Sequence, residues 1–231
     1  RRVEAVSATD LAQRRRSRAV RYNRVATMFE DHLSLVPLSV WLPALRNEKP
    51  ELFVQVEKLL TKLLPKQARF TGEMEGGDYL FKSGSLTVPY SALSDGYKIY
   101  IGWIGDLLYH LAESQRNNEP LALRRGVVMV DEIDLHIHPA WQRTIIPVIS
   151  KALKNIQFIF TTHSPLVAGT LEQSNLYFVA QSKGGLPRIE RPDEETFGLS
   201  ADQILTSDVF GLDSTRDPEF RKKMDQLAEK A

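Results

Sequence analysis

The 231-residue sequence contains no cysteine. Disulfides and thiolate metal sites are therefore excluded, and the fold must be held by packing and hydrogen bonds. No apolar run approaches the ~20 residues that cross a bilayer, so no membrane span is expected. A charged start followed by a short apolar core, the mark of a secretory signal, is missing as well. So are internal repeats and low-complexity tracts. Together these absences predict a soluble, cytoplasmic chain.

What is present is ordinary for a globular protein: 42% hydrophobic and 26% charged residues, enough for one large α/β domain or two small ones. The net charge of +1 conceals an uneven distribution. Residues 1–24 carry eight arginines against Glu4 and Asp10, a local balance of +6 that leaves the remainder near −5. Such a basic cluster can follow a nucleic-acid backbone, because phosphate contacts need only well-placed cations. A solvated arm is the alternative. The chain opens at Arg1 in mid-flow and reads as a piece of a longer protein.

Periodicity sets the coarse structure. Residues 26–66 read as helices broken by prolines. The last of them carries Leu52, Val56, Leu59, Leu60 and Leu63 at helical spacing and ends before Pro65. From Ala68 the period becomes two. Gly76-Gly77 marks a hairpin turn and Ser83-Gly84 a second one. Helical spacing returns over residues 94–115, with Tyr97, Ile101, Ile104, Leu108 and Leu111 on one face. Gly126–Val130 and Ile156–Phe160 are short apolar runs of the kind buried on both faces of a parallel sheet. Between them Pro139 opens a helix filling residues 140–153. Strand, helix and strand in this order imply a parallel pair. A third strand is expected at residues 175–180, a short helix capped by Ser200 at 201–205, and a charged helix from Pro218.

Three motifs carry chemistry. The first buried strand ends in Asp131-Glu132, at the carboxyl edge where ligands of parallel sheets bind. This has the Walker B form: Asp131 would hold Mg²⁺ and Glu132 would orient or deprotonate an attacking water. A strand end capped by solvated acids would look the same. The second strand runs into Thr161-Thr162-His163-Ser164-Pro165, which places His163 on the same side of the sheet. On its own, such a histidine could be a hydrogen-bonded loop residue. Upstream, Leu93-Ser94-Asp95-Gly96-Tyr97-Lys98 opens a helix. Ser94 can cap it, Gly96 permits close approach, and the unpaired amides there suit an anion. A well-capped helix is the plainer reading.

The order and spacing of these motifs resemble those of ATP-binding-cassette ATPases. The run Asp131-Glu132-Ile133-Asp134-Leu135-His136-Ile137-His138-Pro139 looks like the corresponding stretch of OLD- and RecF-like ATPases, within the RecF, OLD and SMC kind. The tail segment Phe197–Leu205 is similar to the stand-alone ATPases of bacterial anti-phage systems, the PtuA-like subunits and their retron relatives. The fold implied is an ABC-type ATPase head: a parallel sheet core flanked by helices, a small antiparallel hairpin region and a helical subdomain. Its parts are expected at residues 1–66 (basic segment and helical subdomain), 67–180 (signature, Walker B, D-loop and histidine loop) and 181–231 (extension). The resemblance implies ATP and Mg²⁺ as cofactors. It assigns Ser94, Asp95 and Gly96 to the signature that grips the γ-phosphate held by a second copy, and His163 to the switch position. The segment with His138 falls at the dimer interface, although His136, His138 and Asp134 could alternatively suggest a transition-metal site.

The resemblance also implies a homodimer closed around ATP, action on DNA and, for the anti-phage branch, an HNH-type nuclease partner. A repair ATPase that clamps DNA without a nuclease is the alternative. A transporter subunit fits less well, because the Asp131–Pro139 run departs from Asp-Glu-Pro-x-x-x-Leu-Asp. One departure matters more. No Gly-x-x-x-x-Gly-Lys-[Ser/Thr] occurs in the chain, so the cradle for the β- and γ-phosphates is missing from these residues. It is expected upstream, and this stretch alone is expected neither to bind ATP tightly nor to hydrolyse it.

Overall fold

The computed structural model describes residues 35–66, 68–114, 119–181 and 185–228. The arginine-rich segment 1–24 and nearly all of the run at 26–36 lie outside them. The described chain divides into two compact units. The first runs to Trp141 and resumes over Ile145–Thr161; the second comprises Gln142–Thr144 and the residues from Thr162 onward.

In the first unit, α1 (Leu38–Glu48) and α2 (Pro50–Leu63) pack against α3 (Asp95–Glu113). Pro50 opens α2, where its fixed φ suits the helix and its missing N–H would have had no partner. Leu42, Val56, Leu60, Ile101, Ile104 and Leu108 are fully buried between the three. Each such side chain contributes about 1.5–3 kcal/mol by leaving water. Gly105 lets α1 approach α3: a Cβ there would stand 2.8 Å from a Leu38 methyl. The C-terminus of α3 is capped by the buried guanidinium of Arg124, which donates to the carbonyls of Leu111 and Ser114. Burial holds that guanidinium below its ordinary pKa, and the nearby Glu119 partly offsets this.

The hairpin forms as expected. Strands β1 (Ala68–Glu75), β2 (Asp78–Ser83) and β3 (Leu86–Pro89) make an antiparallel sheet in that order. Gly76 and Gly77, at φ 60° and 86°, supply the two left-handed positions that a tight two-residue turn needs. Phe70 and Phe81 face each other across β1 and β2, buried, with ring centroids 5.3 Å apart.

Strands β4 (Gly126–Val130) and β5 (Ile156–Phe160) pair in parallel, with Val128 opposite Phe158 and Val130 opposite Phe160. The connection differs from the single helix expected. It is broken at Arg143-Thr144 into α4 (Pro139–Gln142) and α5 (Ile145–Ala152). Ile145, Ile146 and Ile149 of α5 are buried, and α5 packs on α2. Burial of the strands is also one-sided. Val127, Met129 and Ile159 share one face and are 62%, 50% and 45% exposed. Strands composed for burial on both faces are here packed on one.

The second unit contains α6 (Pro165–Ala168), β6 (Phe178–Gln181), β7 (Pro187–Glu190), α7 (Ala201–Leu205) and α8 (Pro218–Ala228). Ala168, Leu176 and Ile204 form its core, with Leu171, Val209 and Phe210 against them. The third strand starts later than expected, because Asn175 belongs to a 3-10 turn. It also joins no parallel sheet: β6 pairs antiparallel with β7. A nearby segment can pair without a crossover, which parallel pairing would require. The short helix α7 carries a capping box, Ser200 with Gln203. Among the described residues no helix is long and apolar enough to cross a membrane.

Candidate functional site

The parallel register brings the ends of β4 and β5 side by side, so Asp131 and Thr161 follow opposed residues. Thr161 joins both acidic neighbours. Its hydroxyl donates to Asp131 Oδ1 at 2.5 Å and accepts the Glu132 amide at 2.8 Å. Its backbone continues the ladder, donating to the Val130 carbonyl at 3.1 Å and accepting from the Ile133 amide at 3.0 Å. Beyond this point the chain turns sharply. Glu132 and His136 hold φ of 52° and 59°, the left-handed region. For non-glycine residues each such position costs about 1–2 kcal/mol. Sparsely populated backbone of this kind persists only where surrounding bonds over-determine it.

Ser94, Asp95 and Gly96 occupy the start of α3, in the same unit as the carboxylates. Ser94 stands at the N-cap, but its side chain makes no capping bond, contrary to the expected role. Its carbonyl accepts the Lys98 amide at 3.0 Å. The amides of the first turn are therefore left uncapped by Ser94, an arrangement that suits an anion. Asp95 is exposed there, with Lys98 Nζ 3.5 Å from its carboxylate. Gly96 lies directly against the His136 carbonyl, a contact that any Cβ would violate. The next residue repeats the junction: the Tyr97 and Trp141 rings meet edge-on, centroids 4.2 Å apart at 80°. The start of α3 and the loop after the carboxylates are thus packed together. Partial burial raises the Tyr97 phenol above its ordinary pKa.

His138 Nδ1 accepts the Ala140 amide at 3.2 Å, and the His138 carbonyl accepts the Trp141 amide at 2.8 Å. Its ring thus helps to start α4. Among the described residues no group of three or more His, Cys, Asp or Glu could hold a metal ion. A magnesium ion asks less of the protein. It takes oxygen ligands, keeps several waters and is commonly held by one or two carboxylates plus substrate phosphates. Asp131 fits this: one hydrogen bond from Thr161 occupies part of the acceptor capacity of its exposed carboxylate.

His163 belongs to the second unit, two residues beyond Thr161, and is exposed. The residue after it, Ser164, is buried and caps α6, accepting from the Leu166 and Val167 amides. Its hydroxyl also donates to Gln142 Oε1 at 2.7 Å. Of the residues expected to act, the first unit thus holds Asp131, Glu132, Ser94, Asp95, Gly96 and His138, and the second holds His163. Thr161 was visible in the sequence only as part of the run leading to the histidine. The one available signal was its place: a hydroxyl at the end of the strand neighbouring Asp131.

The chain belongs to the family described as "AAA domain, putative AbiEii toxin, Type IV TA system", which matches residues 13–169. It is 33% identical over 153 residues to the Retron Ec83 probable ATPase of Escherichia coli, covering 66% of this chain and 28% of that protein. It is 27% identical over 207 residues to the Septu protein PtuA of Bacillus mycoides (strain KBAB4), covering 90% of this chain and 28% of that protein. The chain therefore spans under a third of the length of these relatives. In shape it is similar to an SMC ATPase from work on ATP-driven dimerization and DNA-stimulated activation. The TM-score is 0.47 at 16% identity, covering 71% of this chain and 93% of that one. The SMC head domain from Thermotoga maritima has a TM-score of 0.45 at 18% identity, covering 68% of this chain and 52% of that one.

Proposed function

We propose that the complete protein is an ATP-hydrolysing ABC-type ATPase that dimerises around ATP to gate a DNA-directed activity in anti-phage defence. The observation that carries this reading is the carboxylate pair Asp131-Glu132, held at the end of a parallel strand by Thr161, with the start of α3 packed against the loop that follows. Bound ATP with Mg²⁺ supplies the transferable phosphoryl group and a counter-charge for it. Asp131 would hold the cation, directly or through one of its waters. The Glu132 carboxylate orients the attacking water and takes its proton. His163 would act as the switch that senses the terminal phosphate. Ser94, Asp95 and Gly96 present the amides of α3 to the nucleotide held by the second copy, and His138 lies at that dimer interface.

The phosphate cradle would come from a part of the protein beyond these residues. The relatives named for Septu and retron systems support the defence role, and a partner nuclease of HNH type would do the cutting. In the full-length protein, Glu132→Gln is expected to bind ATP, to lose turnover and to accumulate as an ATP-bound dimer. Size-exclusion chromatography with a phosphate-release assay reads all three. Undiminished hydrolysis would remove Glu132 from its role. A nuclease co-purifying in fixed stoichiometry supports defence, whereas DNA-stimulated hydrolysis without one points to repair.

A further inference from the structure

We propose that Thr161 is the positioning residue of the carboxylate pair, fixing both the Asp131 side chain and the Glu132 backbone through one hydroxyl. The inference rests on the roles assigned above to Asp131 and Glu132. A threonine hydroxyl has one proton to give and two lone pairs to accept with. An ionised carboxylate and an amide N–H leave only one way to satisfy both: the proton goes to Asp131 Oδ1 and a lone pair takes the Glu132 amide. This fixes the orientation of the Asp131 carboxylate. It also holds Glu132 in the left-handed conformation that its side chain would otherwise disfavour. The β-branch adds stiffness at χ1, so the hydroxyl keeps its direction. Both bonds join the residue that follows β5 to the residues that follow β4, so the hydroxyl ties the metal-holding and base positions to the segment that leads into His163.

Partners of this kind, which orient a ligand without touching substrate, typically change metal affinity or activity by about ten- to a hundred-fold when removed. Thr161→Val keeps the shape and deletes the hydroxyl; Thr161→Ser keeps the hydroxyl. In the full-length protein, Thr161→Val is expected to lower kcat by roughly ten- to a hundred-fold and to raise the Mg²⁺ concentration needed for half-maximal turnover. By hydrogen-exchange mass spectrometry, the segment containing Glu132 and Ile133 is expected to exchange faster in that variant. Thr161→Ser restores all three readouts to within about threefold of the parent. Overturning results are a Thr161→Val protein with unchanged exchange, or a Thr161→Ser protein as impaired as Thr161→Val, which would make the effect one of packing. Glu132→Gln runs alongside as a control. If it keeps full turnover the ATPase reading fails, and the exchange comparison still decides whether Thr161 holds Glu132.

Discussion

Gly96 and His136 are 40 residues apart in sequence, yet any Cβ on the first would collide with the carbonyl of the second. Neither partner can yield cheaply. The glycine is in the first turn of a long helix, and the carbonyl belongs to a residue already in the left-handed region. A methyl group added at Gly96 must therefore push the helix start away from the loop. Gly96→Ala is expected to cost about 1–3 kcal/mol, as overpacking does. Thermal unfolding measures the loss, and ATP-dependent dimerisation should weaken with it. An unchanged melting midpoint would show that the two segments are not pressed together.

His136 itself allows an opposed pair of substitutions. Its φ of 59° suits glycine and penalises branched side chains. His136→Gly is expected to leave stability within about 1 kcal/mol of the parent, relief of strain offsetting the entropy of a freer chain. His136→Val should destabilise by clearly more. Equal midpoints for the two variants would contradict a left-handed residue at this position.

The Tyr97–Trp141 contact should act as a second clamp on the same junction. Edge-to-face pairs of this kind are worth about 0.5–1.5 kcal/mol beyond the area they bury. A double-mutant cycle of Tyr97→Leu and Trp141→Leu is expected to return a coupling of that size. Strict additivity would mean that the rings do not interact.

Alkaline pH tests the first unit's packing. Burial pushes the Tyr79 phenol up to about 12 from its ordinary 10, partly offset by Arg46. Tyr100 is raised too, buried with its hydroxyl donating to the Leu63 carbonyl at 2.5 Å. Between pH 10 and about 12 the folded state keeps protons that the unfolded chain has released. Stability is therefore complete below pH 10 and drains as the pH climbs toward 12. Melting midpoints measured across that window should fall, and Tyr79→Phe should flatten part of the slope. A slope identical in the variant would rule out Tyr79 as a contributor.

What the sequence determined by itself was local. The helices α2 and α3, the Gly76-Gly77 hairpin, the parallel pair and the capped helix after Ser200 follow from periodicity and turn chemistry, which depend on residues a few positions apart. The order of Ser94–Gly96, Asp131-Glu132 and His163 along the chain was legible for the same reason. The tertiary structure alone decided how those pieces meet. The bond from Thr161 to Asp131 spans 30 residues and exists only because β4 and β5 pair in this register. The contact of Gly96 with His136, the break at Arg143-Thr144 and the turn of β6 toward β7 likewise depend on what each segment finds beside it. A sequence pattern records which residues can be buried or bonded; register and packing choose the partner.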